Sequence, residues 1–223
     1  MKVVITGPTG AVGSESLRYC LADPAIHEVI ALSRRPIPES GPKLRVRLLK
    51  DFLRPEEAAG DLENVDVCIY ALGVSQTVVK DPVEYRKITH DYTMALAHSL
   101  LKLNPSHRFL FVSGDGADPT MKSRVMFARV KGETEVHLRE LLADRLTVFR
   151  PAYIAPSTPR ETPMWQDTLL QPFMILRKIL PGFFTDSAEV ARALLAVAEG
   201  YKAPAILGNR DLIAAAAHYP KPI

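Results

Sequence analysis

The chain opens on a short apolar run, Met1-Lys2-Val3-Val4-Ile5-Thr6, which stops at Gly7. Comparable apolar blocks recur at 27–32, 44–49, 65–73, 108–113 and 146–151. Block 44–49 alternates, and 65–73 is almost wholly apolar, as expected of a parallel strand covered on both faces. Between the blocks lie helical patterns at 14–21, 55–59, 81–102 and 122–142. In 81–102, Val83, Ile88, Tyr92, Leu96 and Leu100 recur near helical spacing. Asp23-Pro24 and Asn104-Pro105 stop the helices before them. Strand and helix alternate with short links, which predicts an α/β fold: a doubly wound parallel sheet with right-handed crossovers.

After Pro151 this regularity fails. Residues 155–163 are proline-rich, and 164–180 form an apolar stretch with Trp165 and Phe173, interrupted by Pro172. Asp186 caps a helix running to Glu199, 203–207 reads as a late strand, and 209–218 as an alanine-rich helix or turn. Ligands of open α/β sheets sit at the strands' carboxyl ends. Residues 152–184 are therefore expected to cover a substrate as a small C-terminal region of one domain, 1–223.

Composition narrows the classes. With 223 residues, 47% of them hydrophobic, the chain fits one globular domain. A net charge of +3 gives no licence for a nucleic-acid or membrane-surface partner. No stretch approaches the roughly 20 apolar residues of a membrane helix, and the opening run is too short for a signal peptide. Cys20 and Cys68 lack metal-ligand spacing and read as buried thiols, so no metal is expected and the cytoplasm is the expected location.

The chemistry concentrates at the start. Gly7-Pro8-Thr9-Gly10-Ala11-Val12-Gly13 links a strand to a helix. Glycines let the backbone approach a pyrophosphate, and the helix N-terminus favours its charge. Thr9, Ala11 and Val12 lie in the same turn. At the end of the second strand, where an acid would accept from an adenosine ribose, stand Ser33, Arg34 and Arg35. Guanidinium groups bind phosphate oxygens bidentately, so NADP(H) is expected over NAD(H).

These pieces, with Asp51-Phe52, Ala71-Leu72-Gly73, Val112 to Ala117, Val130-Lys131-Gly132-Glu133 and Arg150-Pro151, stand in the order of an atypical short-chain dehydrogenase/reductase. The chain resembles the NAD(P)-binding group with Tat-interacting-protein-like and NmrA-like members, nucleoside-diphosphate-sugar epimerase-like. The resemblance covers nearly the whole chain. It implies a Rossmann domain, NADPH binding, and reductase chemistry or redox sensing. It implies cofactor contacts at Gly7, Thr9, Gly10, Ala11, Val12, Gly13, Ser33, Arg34, Arg35, Asp51, Phe52, Ala71, Leu72, Gly73, Lys131 and Arg150.

The group's catalytic pattern is a Ser after strand five plus Tyr-x-x-x-Lys on the next helix. That spacing puts both groups on one helix face, where the ammonium lowers the phenol pKa. Here Lys131 is in place, Phe127 stands where the Tyr should be, and Gly114 falls on the acting Ser, with Ser113 one residue before it. Asp115 and Tyr153 lie at the correct sheet edge to serve as replacement donors, whereas His137 reads as surface. The expected function is an NADP(H)-binding oxidoreductase or epimerase-like enzyme acting on a small, apolar organic substrate through a non-standard donor. The alternatives are a non-catalytic NADP(H) sensor or scaffold, or a non-redox isomerase or cyclase. Members of this group often pair the two long helices, which keeps a homodimer open.

Overall fold

The computed structural model describes residues 1–155, 157 and 182–219. Its strands are β1 (Lys2–Thr6), β2 (Glu28–Ser33), β3 (Leu44–Leu48), β4 (Val67–Tyr70), β5 (Arg108–Val112), β6 (Leu146–Phe149), β7 (Tyr153–Ala155), β8 (Phe184–Asp186) and β9 (Ile206–Leu207). Seven of them form one parallel sheet in the order β3-β2-β1-β4-β5-β6-β9. The order reverses between β1 and β4. At such a switch point two crossovers leave in opposite directions and open a crevice at the strands' carboxyl ends.

The helices are α1 (Ala11–Ala22), α2 (Ala59–Leu62, entered through a 3₁₀ turn at Pro55–Ala58), α3 (Pro82–Arg86), α4 (Tyr92–Leu103), α5 (Met126–Leu142), α6 (Ser187–Ala198) and α7 (Asn209–Ala216). Strand periodicity sorts them. Val3 and Ile5 of β1, with Val29, Val67 and Ile69, face α1, α6 and α7. Val4, with Ile30, Cys68, Tyr70 and Phe111, faces the layer of α2, α4 and α5. Both sheet faces are thus dry, which is why the strand sequences carry few polar residues.

Three elements differ from the sequence expectation. Helix α5 starts at Met126 because the Asp118 carboxylate accepts from the Thr120, Lys122 and Ser123 amides and the Thr120 hydroxyl, holding 118–123 as a loop. The expected helix over 81–102 is broken by a π turn at Lys87–Asp91 between α3 and α4. The late strand is only Ile206–Leu207. Beyond the main sheet, β7 and β8 pair in parallel as a second sheet, three residues a strand. The expected cap at Asp186 is present as a capping box: Asp186 accepts from the Glu189 amide at 2.8 Å, and Glu189 accepts from the Asp186 amide. Of the expected covering region 152–184, residues 156 and 158–181, with Trp165 and Phe173, lie outside the described residues.

Candidate functional site

The turn after β1 is built from backbone that tolerates no side chains. Gly7 has φ of 67°, the left-handed region that favours glycine, and a Cβ there would stand 2.8 Å from the Ala71 carbonyl oxygen. A Cβ on Gly13 would stand 2.0 Å from the Gly7 oxygen, so α1 begins directly against the turn. The Gly10 amide closes the loop onto Gly7 at 2.9 Å. Thr6 ties β1 to the exit of β4, its Oγ1 accepting from the Leu72 amide at 3.1 Å. No side chain caps α1, and its first turn holds no acid. Unpaired N–H groups therefore face the crevice, with Thr9 and Gly10 exposed, Ala11 half-buried and Val12 buried beneath them.

Along the crevice, Ser33 is buried and its Oγ accepts from the Arg35 amide at 3.3 Å. Arg34 and Arg35 are exposed and enter no ion pair among the described residues. Asp51 accepts from the Leu53 amide at 2.9 Å, which shapes the turn after β3. The Phe52 side chain is in the core, its ring 5.8 Å from that of Tyr92, so it offers the crevice only backbone. Ala71 and Leu72 are half-buried at the exit of β4. Gly73 follows them, and Lys131 Nζ lies 3.9 Å from where its Cβ would be.

The β5–α5 end is arranged differently. Lys131 is buried and its ammonium donates to the Val112 carbonyl at 3.0 Å, 4.8 Å from the centre of the Phe111 ring. Burial pulls its pKa down to about 8, with Glu135 acting the other way. One turn earlier, the Phe127 ring lies over Gly114, where a Cβ would stand 2.5 Å from its Cζ. Ring and glycine are a matched pair: the aromatic side chain takes the space that a side chain at 114 would need. Gln76 holds this turn of α5, its Oε1 accepting from the Phe127 amide at 3.0 Å.

Ser113 turns away from the crevice. Its hydroxyl donates to Glu135 Oε1 at 2.5 Å, and Arg150 clamps both oxygens of the same carboxylate, with Nε at 3.0 and 3.1 Å and a further bond from Nη2. Ser113, Glu135 and Arg150 thus form one partly buried network. Sequence reasoning missed Glu135; the signal was its place four residues after Lys131, on the same helix face. Asp115 is exposed on the loop after β5, its amide bonded to the Pro151 carbonyl at 2.8 Å. Tyr153 is half-buried in β7, its ring edge-on to Phe184 with centroids 6.2 Å apart. His137 corrects the surface expectation: it is half-buried, and its Nδ1 hydrogen-bonds His90 Nε2 at 2.8 Å.

The model of the NAD dependent epimerase/dehydratase family matches residues 3–129. The chain belongs to that family. Among its relatives are Protein FMP52, mitochondrial, of Chaetomium globosum, 27% identical over 161 residues, covering 72% of this chain and 68% of the relative. Protein HTATIP2 of Rattus norvegicus is 29% identical over 154 residues, covering 68% and 62%. Solved structures of similar fold include UDP-glucose 4-epimerase of Thermotoga maritima (TM-score 0.67, 17% identity, covering 88% and 73%) and vestitone reductase of alfalfa (0.65, 16%, covering 90% and 74%). This epimerase/dehydratase-family chain is thus an NAD(P)-binding Rossmann protein, and its resemblance to short-chain dehydrogenase/reductases stands. The cytoplasmic expectation does not stand: several of the relatives are named as mitochondrial proteins.

Proposed function

We propose that the chain binds NADP(H) and uses it as an oxidoreductase or epimerase-like enzyme on a small, apolar organic substrate, with a proton donor other than residue 127. The observation that carries the cofactor preference is the pair Arg34 and Arg35. Both are exposed beside Ser33 at the end of β2, and the pair has no acidic partner among the described residues. A 2′-phosphate there would meet two guanidinium groups and no carboxylate at position 33. The second element is Lys131, retained and buried beside the exits of β4 and β5, where an ammonium can hold a nicotinamide ribose.

Phe127 has no proton to give, and the Ser113 hydroxyl is bonded to Glu135. The proton in this reading comes from Asp115 or Tyr153, which flank the crevice on the β5 loop and β7. A bound NADP(H) would supply the hydride chemistry at the substrate carbon, and Asp115 or Tyr153 would give the proton to the substrate oxygen. The matched pair of Phe127 and Gly114 favours a second reading, a cofactor-holding sensor without turnover. The experiment is NADPH consumption with a panel of carbonyl compounds, on wild type, Asp115→Asn and Tyr153→Phe. Turnover reduced about 10² to 10⁴-fold in one variant supports the enzyme. Tight NADPH binding with no turnover on any compound supports the sensor. A homodimer through α4 and α5 is part of the same proposal and is read by sedimentation.

A further inference from the structure

On the side of α5 away from Lys131, a second polar cluster joins α5 to the π turn. His90 is buried in that turn, and Glu133 and His137 sit one helical turn apart on α5, both half-buried. Each offers one ligand atom, and these atoms all lie within 4.8 Å of one another. His90 Nε2 and His137 Nδ1 are 2.8 Å apart, their rings inclined at 73°. His90 Nδ1 lies 2.7 Å from Asp91 Oδ1.

Asp91, as a carboxylate, can only accept, so the 2.7 Å contact puts a proton on His90 Nδ1 and leaves Nε2 facing His137 Nδ1. The Nε2–Nδ1 contact holds one shared proton, which an ion bound to both nitrogens would displace to His137 Nε2. A carboxylate behind one imidazole nitrogen with the other nitrogen free to ligate is the usual outer arrangement of a metal-bound histidine. Charge points the same way. Among the described residues the two carboxylates, Asp91 and Glu133, share one guanidinium, Arg86, which bonds Asp91 Oδ1 at 2.7 Å and Glu133 Oε1 at 2.6 Å. One negative charge is left over. Carboxylate oxygens carry spare lone pairs beyond those used by Arg86.

We propose that His90, His137 and Glu133 form a binding site for a zinc-class divalent transition ion, clamping the π turn to α5. Two imidazoles and a carboxylate suit zinc, whereas magnesium prefers an all-oxygen shell. A tetrahedral ion about 2.0 Å from each imidazole nitrogen needs those nitrogens roughly 3.3 Å apart, a small opening of the present pair. The half-buried Glu133 and His137 leave room for a water as fourth ligand. Asp91 and Arg86 are positioning residues. The site is independent of the cofactor crevice and of the function proposed for it. No sequence spacing announces it, because His90 and His137 lie 47 residues apart.

The test uses the full chain without an affinity tag. Dialysis against zinc, with magnesium as control, is expected to leave one zinc and no magnesium per chain. Imidazole ¹⁵N spectra of the wild type are expected to show His90 Nε2 and His137 Nδ1 shifting on zinc addition. His137→Ala should lose the ion, and Asp91→Asn should bind about 10- to 100-fold more weakly. Absence of zinc uptake, with Arg86 alone serving the carboxylates, overturns the proposal. So does zinc that shifts other histidines, or that the variants retain unchanged. The wild-type spectra decide the matter even where a variant fails to fold.

Discussion

The two ends of the cofactor crevice are built under different constraints. At β1 the backbone itself is the binding surface, and glycine is forced at Gly7 and Gly13 by contacts with peptide oxygens. At β5 side chains form the surface, and there the chain departs from the Tyr-x-x-x-Lys pattern: Gly114 and Phe127 fill each other's space. A backbone seat fails with one added methyl, whereas a side-chain site can be rebuilt around a new ring. The two ends of the crevice can therefore change independently of each other.

The largest expected effect is at the backbone seat. Gly13→Ala puts a carbon 2.0 Å from a carbonyl oxygen, so the turn must move. NADPH affinity should fall more than 100-fold, with a stability loss of about 1–3 kcal/mol or more, read by calorimetry and thermal melting. A binding-competent Gly13→Ala would erase the contrast.

Next comes Lys131. Burial lowers its pKa from 10.5 to about 8 in the folded chain, so between those values the unfolded chain holds more protons. Stability of the cofactor-free protein should rise as pH climbs through that window, by roughly 3 kcal/mol in all. Lys131→Met should abolish this gain. Buried Cys20 and Tyr70, whose pKa values burial pushes up, act in both proteins, so the difference between the two melting profiles isolates Lys131.

At the rebuilt end, Gly114→Ser should cost about 1–3 kcal/mol against Phe127, and Phe127→Ala in the same chain should recover most of it. A double-mutant cycle measures that coupling, and purely additive costs would show that the ring and glycine are not a pair. The smallest effect is expected at the surface. Arg34→Ala with Arg35→Ala should weaken NADPH about tenfold, roughly 1.4 kcal/mol, and leave NADH unchanged. Equal loss for both cofactors would locate the arginines outside the phosphate subsite.

Much of this was readable in the chain. Strand positions followed from short apolar blocks, because strands dry on both faces leave an unbroken signal, and the glycine turn followed from its place after β1. The pairing of Ser113 with Glu135 was not readable, since a glutamate on a polar helix looks like any solvated one. Nor was the start of α5, where one aspartate, Asp118, gathers four donors and delays the helix. His137 looked exposed because its partner lies on a different helix. The π turn escaped because a single wide turn barely disturbs apolar spacing on either side of it.

That wide turn has a consequence for how the chain can vary in length. Residues 87–91 hold i→i+5 bonds, one residue more per loop than the regular ladder. Removing one residue there would let the ladder close again as ordinary α-helix, so the stretch should absorb a deletion that would break most helices. The flanks would keep their phase, because five residues of the wide turn cover about the rotation of four ordinary helical residues; the loss would fall on the turn itself, where His90 meets His137.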